Sequence, residues 1–124
     1  MKFVIFMPSP EELRERTRNF ALRVIRLYRA LPKSTEAQVI GKQLLRCGTA
    51  VAANYRAVCR ARSRPEFIAR LGIVVEEADE TMFWLGMLAD ADIIKRDKLA
   101  PLWNEARELT ALFTASRHTA RSRS

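Results

Sequence analysis

The chain has 124 residues, of which 48% are hydrophobic and 29% are charged, and its formal net charge at pH 7 is +8. A chain of this length forms one domain with a buried core, and its apolar content excludes an intrinsically disordered protein. Residues 1–8 form an apolar N-terminal extension that is too short for a signal peptide. No stretch approaches the roughly 18 apolar residues of a membrane span, so we expect a cytoplasmic protein without a membrane partner.

The first predicted helix begins at Ser9, which is followed by Pro10 and Glu12. A capping Ser, a Pro at the first helical position and a Glu three residues after the Ser are typical of a helix N-terminus. The helix ends before Pro32, because the residue preceding a proline disfavours the helical conformation. Its apolar stripe has helical spacing and consists of Leu13, Thr17, Phe20, Val24, Leu27 and Leu31.

The second predicted helix begins at Thr35, which forms a capping box with Gln38. Gly41 and Gly48 lie seven residues apart on nearly the same face of this helix. They are either tolerated surface glycines or the site of a close approach between two helices. The stripe consists of Ile40, Leu44, Cys47, Val51, Asn54 or Tyr55, and Val58.

The third predicted helix begins at Ser63, where the Ser-x-Pro-Glu pattern repeats the first start signal in modified form, and it ends near residues 89–91. The fourth begins near Asp97, with Pro101 inside its first turn. The two stripes consist of Phe67, Leu71, Val74, Ala78, Met82, Leu85 and Leu88, and of Leu99, Leu102, Ala106, Leu109 and Phe113.

Four helices with short connections predict an all-α fold, an antiparallel up-down-up-down four-helix bundle over residues 9–115. Residues 116–124 carry no apolar pattern and are predicted to be a disordered basic tail. Apolar residues off the main stripes exceed what a four-helix monomer needs and indicate a homo-oligomer, unless they are scattered surface residues. These residues are Ile25, Tyr28, Val75, Phe83, Trp84, Trp103 and Leu112.

Positive charge is concentrated in the first half of the chain. Residues 1–64 contain 14 Lys/Arg and 4 Asp/Glu, whereas residues 65–115 contain 5 and 10. Guanidinium groups suit phosphate oxygens, and this predicts a nucleic-acid-binding surface on the first two helices. Alternatively, the basic helices pair with acidic residues of the third helix, or the charges are simply solvated. The predicted nucleic-acid-binding residues are Arg16, Arg23, Arg26, Arg56, Arg60, Arg62 and Arg64.

Residues suited to catalysis are scarce. The single histidine, His118, lies in the basic tail, and Cys47 and Cys59 stand 12 positions apart on one helix. Both cysteines are expected to be small buried residues, and two separated cysteines do not make a zinc site. The Glu-x-x-His repeats of a di-iron bundle and a Gly-rich phosphate loop are absent from the sequence. We therefore predict no enzyme activity, no cofactor and no metal.

Three polar residues lie near the core stripes, namely Arg46, Asn54 and Glu77. A buried charge must be paired, so these residues are predicted to form a buried hydrogen-bonded network that fixes the register of the helices. The alternative is that each of them faces water.

Two motifs carry a family resemblance. Residues 43–54 read Gln-Leu-Leu-Arg-Cys-Gly-Thr-Ala-Val-Ala-Ala-Asn after Leu31-Pro32, and residues 77–85 contain Glu-Ala, Glu-Thr and Trp-Leu pairs after Phe67 and Leu71. From residue 13 to 113 the chain resembles the four-helix-bundle family encoded by intervening sequences of large-subunit ribosomal RNA genes. Cys47 departs from the serine that is common in this family.

The resemblance implies a ring-like homopentamer. It also implies kinship with the accessory variability proteins of diversity-generating retroelements, which bind nucleic acid and a reverse transcriptase. The first hypothesis is thus a non-catalytic homo-oligomer that binds RNA or DNA. The second is a protein–protein adaptor or scaffold whose charge serves assembly, for example an accessory subunit of a reverse transcriptase.

Overall fold

The computed structural model describes residues 8–123, which form four α-helices and no β-strand. Each helix packs against its neighbours in sequence, and the first also contacts the last. The all-α prediction is confirmed, while most of the predicted N-terminal extension lies outside the described residues. None of these helices is long and apolar enough to cross a membrane. The helices are α1 (Pro10–Ala30), α2 (Thr35–Val58), α3 (Arg64–Asp90) and α4 (Arg96–Ser122).

Serine side chains cap the first three helices. The Ser9 hydroxyl accepts from the Glu12 N–H at 3.1 Å, and the Ser63 hydroxyl accepts from the Glu66 N–H at 3.2 Å. Both starts agree with the prediction. The cap of α2 is Ser34 rather than Thr35, because Ser34 has an extended backbone while Thr35 is already helical.

The start of α4 differs from the prediction. The helix begins at Arg96 after Lys95, which makes no side-chain capping bond, and Asp97 already lies within the first turn. A carboxylate there still stabilises the helix, since it lies near the positive end of the helix dipole. Pro101 is consequently the sixth helical residue and lies beyond the first turn.

The prediction of a disordered tail is wrong for residues 116–122, which continue α4. Arg117 Nε donates to the Ile68 carbonyl at 3.0 Å, and Arg64 Nη1 donates to the Arg123 carbonyl at 2.7 Å. The beginning of α3 thus supplies polar partners that an apolar pattern does not reveal.

The predicted apolar stripes meet in one core. Most stripe residues are buried, and the rings of Tyr55 on α2 and Phe113 on α4 lie 5.0 Å apart between centroids. Cys47 is buried as expected, but Cys59 is exposed because it caps the end of α2. The largest fully buried side chains include Phe20, Phe113, Leu44, Leu71, Leu85, Leu88 and Leu109.

Both glycines of α2 are buried against α1. A Cβ atom on Gly48 would lie 2.7 Å from Val24 Cγ2, and one on Gly41 would lie 2.6 Å from Leu31 Cδ1. Real Cβ atoms do not approach other atoms so closely, so the interpretation of a close helix approach is confirmed.

The off-stripe apolar residues divide into two groups. Phe83 is 56% exposed, whereas Ile25 is half-buried. The others in the predicted set pack partly against the core; they are Tyr28, Val75, Trp84, Trp103 and Leu112. Three further apolar residues are exposed, namely Leu22, Val39 and Ile73.

Candidate nucleic-acid interface

Arginines gather around the short connection between α2 and α3. Arg56 lies in the last turn of α2, and Arg60 and Arg62 lie in the connection itself. The Arg60 N–H donates to the Ala57 carbonyl at 3.1 Å, which holds the chain in a tight turn. A cleft of about 350 Å³ opens here, lined by Ala53, Arg56, Ala57, Arg60, Arg62, Glu66 and Arg70.

Glu66 is the carboxylate in this cleft. Its Oε1 accepts from Arg70 Nε at 3.1 Å, and its Oε2 accepts from the Arg62 N–H at 3.4 Å. The hydrogen bond from the Arg62 backbone and then that from Arg70 lower the pKa of Glu66, so Glu66 is ionised at neutral pH. Four guanidinium groups still exceed one carboxylate, and the cleft remains positive. Arg70 was missed by the sequence analysis, although it follows Glu66 at the i,i+4 spacing of helical ion pairs.

A second cleft of about 340 Å³ continues this surface onto α1. It shares Ala53 and Arg56 with the first cleft and adds two arginines of α1, Arg14 and Arg18. These two arginines were not among the predicted binding residues. They lie four residues apart and therefore share the face of α1 that adjoins α2.

A third cleft of about 430 Å³ brings in the end of α4. Arg62, Arg64 and Phe67 line it together with Ala120 and Arg123. Arg62 thus borders both this cleft and the first one. We call the combined surface the basic end; it comprises Arg14, Arg18, Arg56, Arg60, Arg62, Arg64, Arg70 and Arg123.

Arg16 lies outside the basic end and pairs with carboxylates of α4. Its Nε and Nη2 bond both carboxylate oxygens of Glu105 on α4, at 3.0 and 2.5 Å, and Nη2 lies 3.5 Å from Glu108. The hydrogen bond to Glu105 raises the pKa of Arg16. Arg23 and Arg26 line none of the three clefts. They follow Arg18 by five and eight residues and therefore lie about 7.5 and 12 Å further along α1, away from the α2–α3 connection.

The predicted buried polar network forms only in part. Arg46 Nη1 lies 3.4 Å from Glu77 Oε2, and Arg46 also pairs with Glu80. This ion-pair cluster joins α2 to α3 at the surface, with half of the Arg46 side chain exposed. Asn54 is outside it and donates to the Ala50 carbonyl at 2.9 Å, because eight helical residues separate it from Arg46 by about 12 Å.

Burial affects the pKa of Glu77 more strongly than the Arg46 cation does. Burial raises the pKa of Glu77, and the nearby Arg46 cation opposes that rise. Trp84 Nε1 donates to Glu80 at 3.0 Å and so completes the surface cluster. The buried polar link between α2 and α3 is instead Thr81, whose hydroxyl lies 3.3 Å from Cys47 Sγ and donates to the Glu77 carbonyl at 2.7 Å.

Metal ligands are not clustered in the part of the chain from residue 8 to 123. No three His, Cys, Asp or Glu side chains there lie close enough together to hold a metal ion.

Comparison with known proteins identifies the family. Residues 11–115 match the family model described as 23S rRNA-intervening sequence protein. The chain belongs to this family. The resemblance read from the motifs of α2 and α3 is thereby confirmed. The match of the intervening sequence protein model ends before Arg117, so the last two turns of α4 lie beyond it.

A solved structure supports the same assignment. The crystal structure of a protein of unknown function from the S23 ribosomal protein family of Bacteroides thetaiotaomicron is 32% identical to this chain. The alignment covers 88% of the present chain and 97% of that chain, with a TM-score of 0.82. A search of curated proteins gives no match.

Proposed function

We propose that this chain is a non-catalytic, homo-oligomeric protein of the cytoplasm that contacts RNA or DNA through the basic end. The observation that carries the proposal is the set of adjoining clefts in which arginines of α1, α2, α3 and α4 surround one carboxylate. Guanidinium forks match the geometry of phosphate oxygens. A surface lined by one sign of charge also raises the local concentration of a polyanion.

Ion pairing within the chain leaves most of the basic end available. Among residues 8–123, the cross-helix ion pairs are made by Arg16 with Glu105 and Glu108, by Arg46 with Glu77 and Glu80, and by Arg96 with Asp90. None of the ion pairs in that range involves the side chains of Arg14, Arg18, Arg56, Arg60, Arg62 or Arg64. This distribution favours an external anion over intramolecular pairing at these six arginines.

The experiment measures binding of labelled single-stranded and duplex RNA and DNA by fluorescence anisotropy at several salt concentrations. The variant Arg56→Gln/Arg60→Gln is expected to weaken binding by about tenfold and to flatten the salt dependence by about 1 to 2 in log–log slope, because two phosphate contacts are lost. The matched control Arg29→Gln/Lys33→Gln removes the same charge at the far end of α1 and should change affinity less than about twofold. A wild-type protein that binds none of the four nucleic acids at low salt contradicts the proposal.

The antiparallel order of the helices belongs to the proposal, and side-chain contacts support it. Gly48 packs on Val24 while the earlier Gly41 packs on the later Leu31. In the same way, Thr110 of α4 contacts Met82 of α3, whereas the later Arg117 contacts the earlier Ile68.

The homo-oligomer is supported by exposed apolar residues that lie on two helix faces of opposite charge. The outer face of α3 exposes Phe83 and Ile73 near the carboxylates of Glu76 and Asp79, whereas α1 exposes Leu22 among arginines. A face of one charge that meets a different face of the other charge makes a head-to-tail contact, and repeated contacts of this kind give a ring when the rotation between copies closes. The number five rests on the family resemblance.

The second candidate function is a protein–protein adaptor or scaffold, for example an accessory subunit of a reverse transcriptase. An apolar groove of about 270 Å³ between α3 and α4 favours it. A Cβ atom on Gly86 at this groove would meet open space, and Trp103 and Leu99 line the groove beside it. Salt-independent binding of a protein partner, without binding of nucleic acid, would select this candidate.

A further inference from the structure

We infer that Glu66 is the resident counter-anion of the first arginine cleft, which a phosphate group of the bound nucleic acid displaces from Arg70. The inference rests on the proposed function, because it concerns how the same surface selects its ligand. It makes Glu66 a residue that limits affinity.

The geometry places Glu66 where a phosphate would be held. Both of its oxygens face the cleft's own donors, one on Arg70 Nε at 3.1 Å and one on the Arg62 N–H at 3.4 Å. Arg56 and Arg60 line the same cleft and pair with no carboxylate in residues 8–123. Glu66 therefore holds one of four guanidinium groups and leaves the other three for an incoming anion.

The Glu66–Arg70 pair is accessible to a competing anion. The side chains of Glu66 and Arg70 are 32% and 44% exposed, and ion pairs of that exposure are weak. Carboxylate and phosphate oxygens accept the same guanidinium hydrogen bonds. A phosphate that enters the cleft thus competes with Glu66 for Arg70 and is repelled by the Glu66 charge until Glu66 moves away.

The test is the variant Glu66→Gln, which removes the charge but keeps the length and an oxygen that accepts from the Arg62 N–H. Affinity for the nucleic acid that the wild type binds best is expected to rise about fivefold to tenfold. The log–log salt slope should steepen by about one, because one more guanidinium is neutralised by phosphate. The matched control Glu36→Gln changes the net charge equally at an exposed site in the first turn of α2, at the opposite end of that helix from the cleft, and its affinity should stay within about twofold of wild type.

A double-mutant cycle checks the route through Arg70. In the Arg70→Gln background the gain from Glu66→Gln is expected to shrink to that of the Glu36 control, since Glu66 then has no Arg70 guanidinium to release. Thermal unfolding verifies that the variants fold, and Glu66→Met, which removes the charge with a similar length, must give the same gain.

Two outcomes separate this inference from the proposed function. If the wild type binds nucleic acid and Arg56→Gln/Arg60→Gln weakens that binding, but Glu66→Gln gains no more than its control, the inference is overturned and the function stands. If the wild type binds no nucleic acid, both are overturned.

Discussion

Arginines a few positions apart on one helix have different partners. Arg16 bonds both oxygens of Glu105 across the α1–α4 contact, whereas Arg14 and Arg18 line a cleft towards α2. The difference follows from the rotation of about 100° per helical residue, which turns neighbouring side chains to different helices. Charge counts along α1 therefore identify a basic helix but not the partner of each arginine.

At the surface cluster of α2 and α3, stability should depend on pH through Glu77. Burial raises the pKa of Glu77, and Arg46 opposes the rise, so Arg46→Met should raise that pKa further. The pKa of this carboxyl is higher in the folded than in the unfolded state, where it has the ordinary value of 4.5. Its contribution to stability is therefore fully present below pH 4.5 and is lost as the pH rises through the folded-state pKa. The deficit of the variant should be small at pH 4 and reach about 1 kcal/mol at pH 7.

Urea unfolding of wild type and Arg46→Met at pH 4, 5.5 and 7 measures this deficit. Arg26→Met is the control, since Arg26 is exposed and belongs to no ion pair formed within residues 8–123. A deficit that is equal at all three pH values would show that Arg46 contributes through packing instead of charge.

At the scale of the element, α3 packs against both α2 and α4, and this explains why apolar residues occur nearly all round it. The first three starts are predictable because their serine caps are local, with an error of one residue at Ser34. The start and end of α4 are not predictable from local sequence, because Lys95 makes no side-chain capping bond and the final turns are held by contacts from α3.

Two glycine substitutions are predicted to have opposite effects on stability, because Gly48 lies at the close approach of α1 and α2 whereas Gly86 lies on α3. Gly48→Ala places a methyl group against Val24, and we expect a loss of about 1–3 kcal/mol in unfolding free energy. Gly86→Ala meets open space, so the higher helix propensity of alanine should increase stability by up to about 1 kcal/mol. Urea unfolding of both variants measures the contrast, and a stabilised Gly48→Ala protein would disprove the close approach.

At the scale of the whole molecule, the basic end lies apart from the exposed Phe83, since 13 residues, or about 20 Å of α3, separate Phe83 from Arg70. The basic end gathers residues from all four helices, while the exposed Phe83 and Ile73 lie on the middle of α3. The proposed function assigns the basic end to nucleic acid and the exposed apolar residues of α3 to a second copy of the chain.

The proposed assembly predicts that Phe83→Asp lowers the oligomeric state. A buried charge at a contact between copies would be unpaired and costly, so light scattering at micromolar concentration should give a smaller mass than for wild type. Val39→Asp is the control, because Val39 is equally exposed but lies on α2. A monomeric wild type, or an unchanged mass for Phe83→Asp, would contradict the assembly.

Most of the fold and part of the site were predictable from the sequence. The stripe of α4 from Leu99 to Phe113 is buried throughout, and Arg56, Arg60 and Arg62 do line one cleft. Arg70 lies on α3 and Arg123 follows α4, whereas the predicted surface was on the first two helices. These two arginines were missed because only the packing of the helices brings them to that surface.

The sequence by itself determined the four helices, their apolar faces, the family and the excess of positive charge. These properties depend on spacing and composition within short segments. Only the tertiary structure decided that Arg16 and Arg46 bind carboxylates of other helices while Arg56 and Arg60 remain unpaired within residues 8–123. The reason is that an ion pair requires two side chains to meet across a helix contact, and the packing of whole helices sets which ones meet.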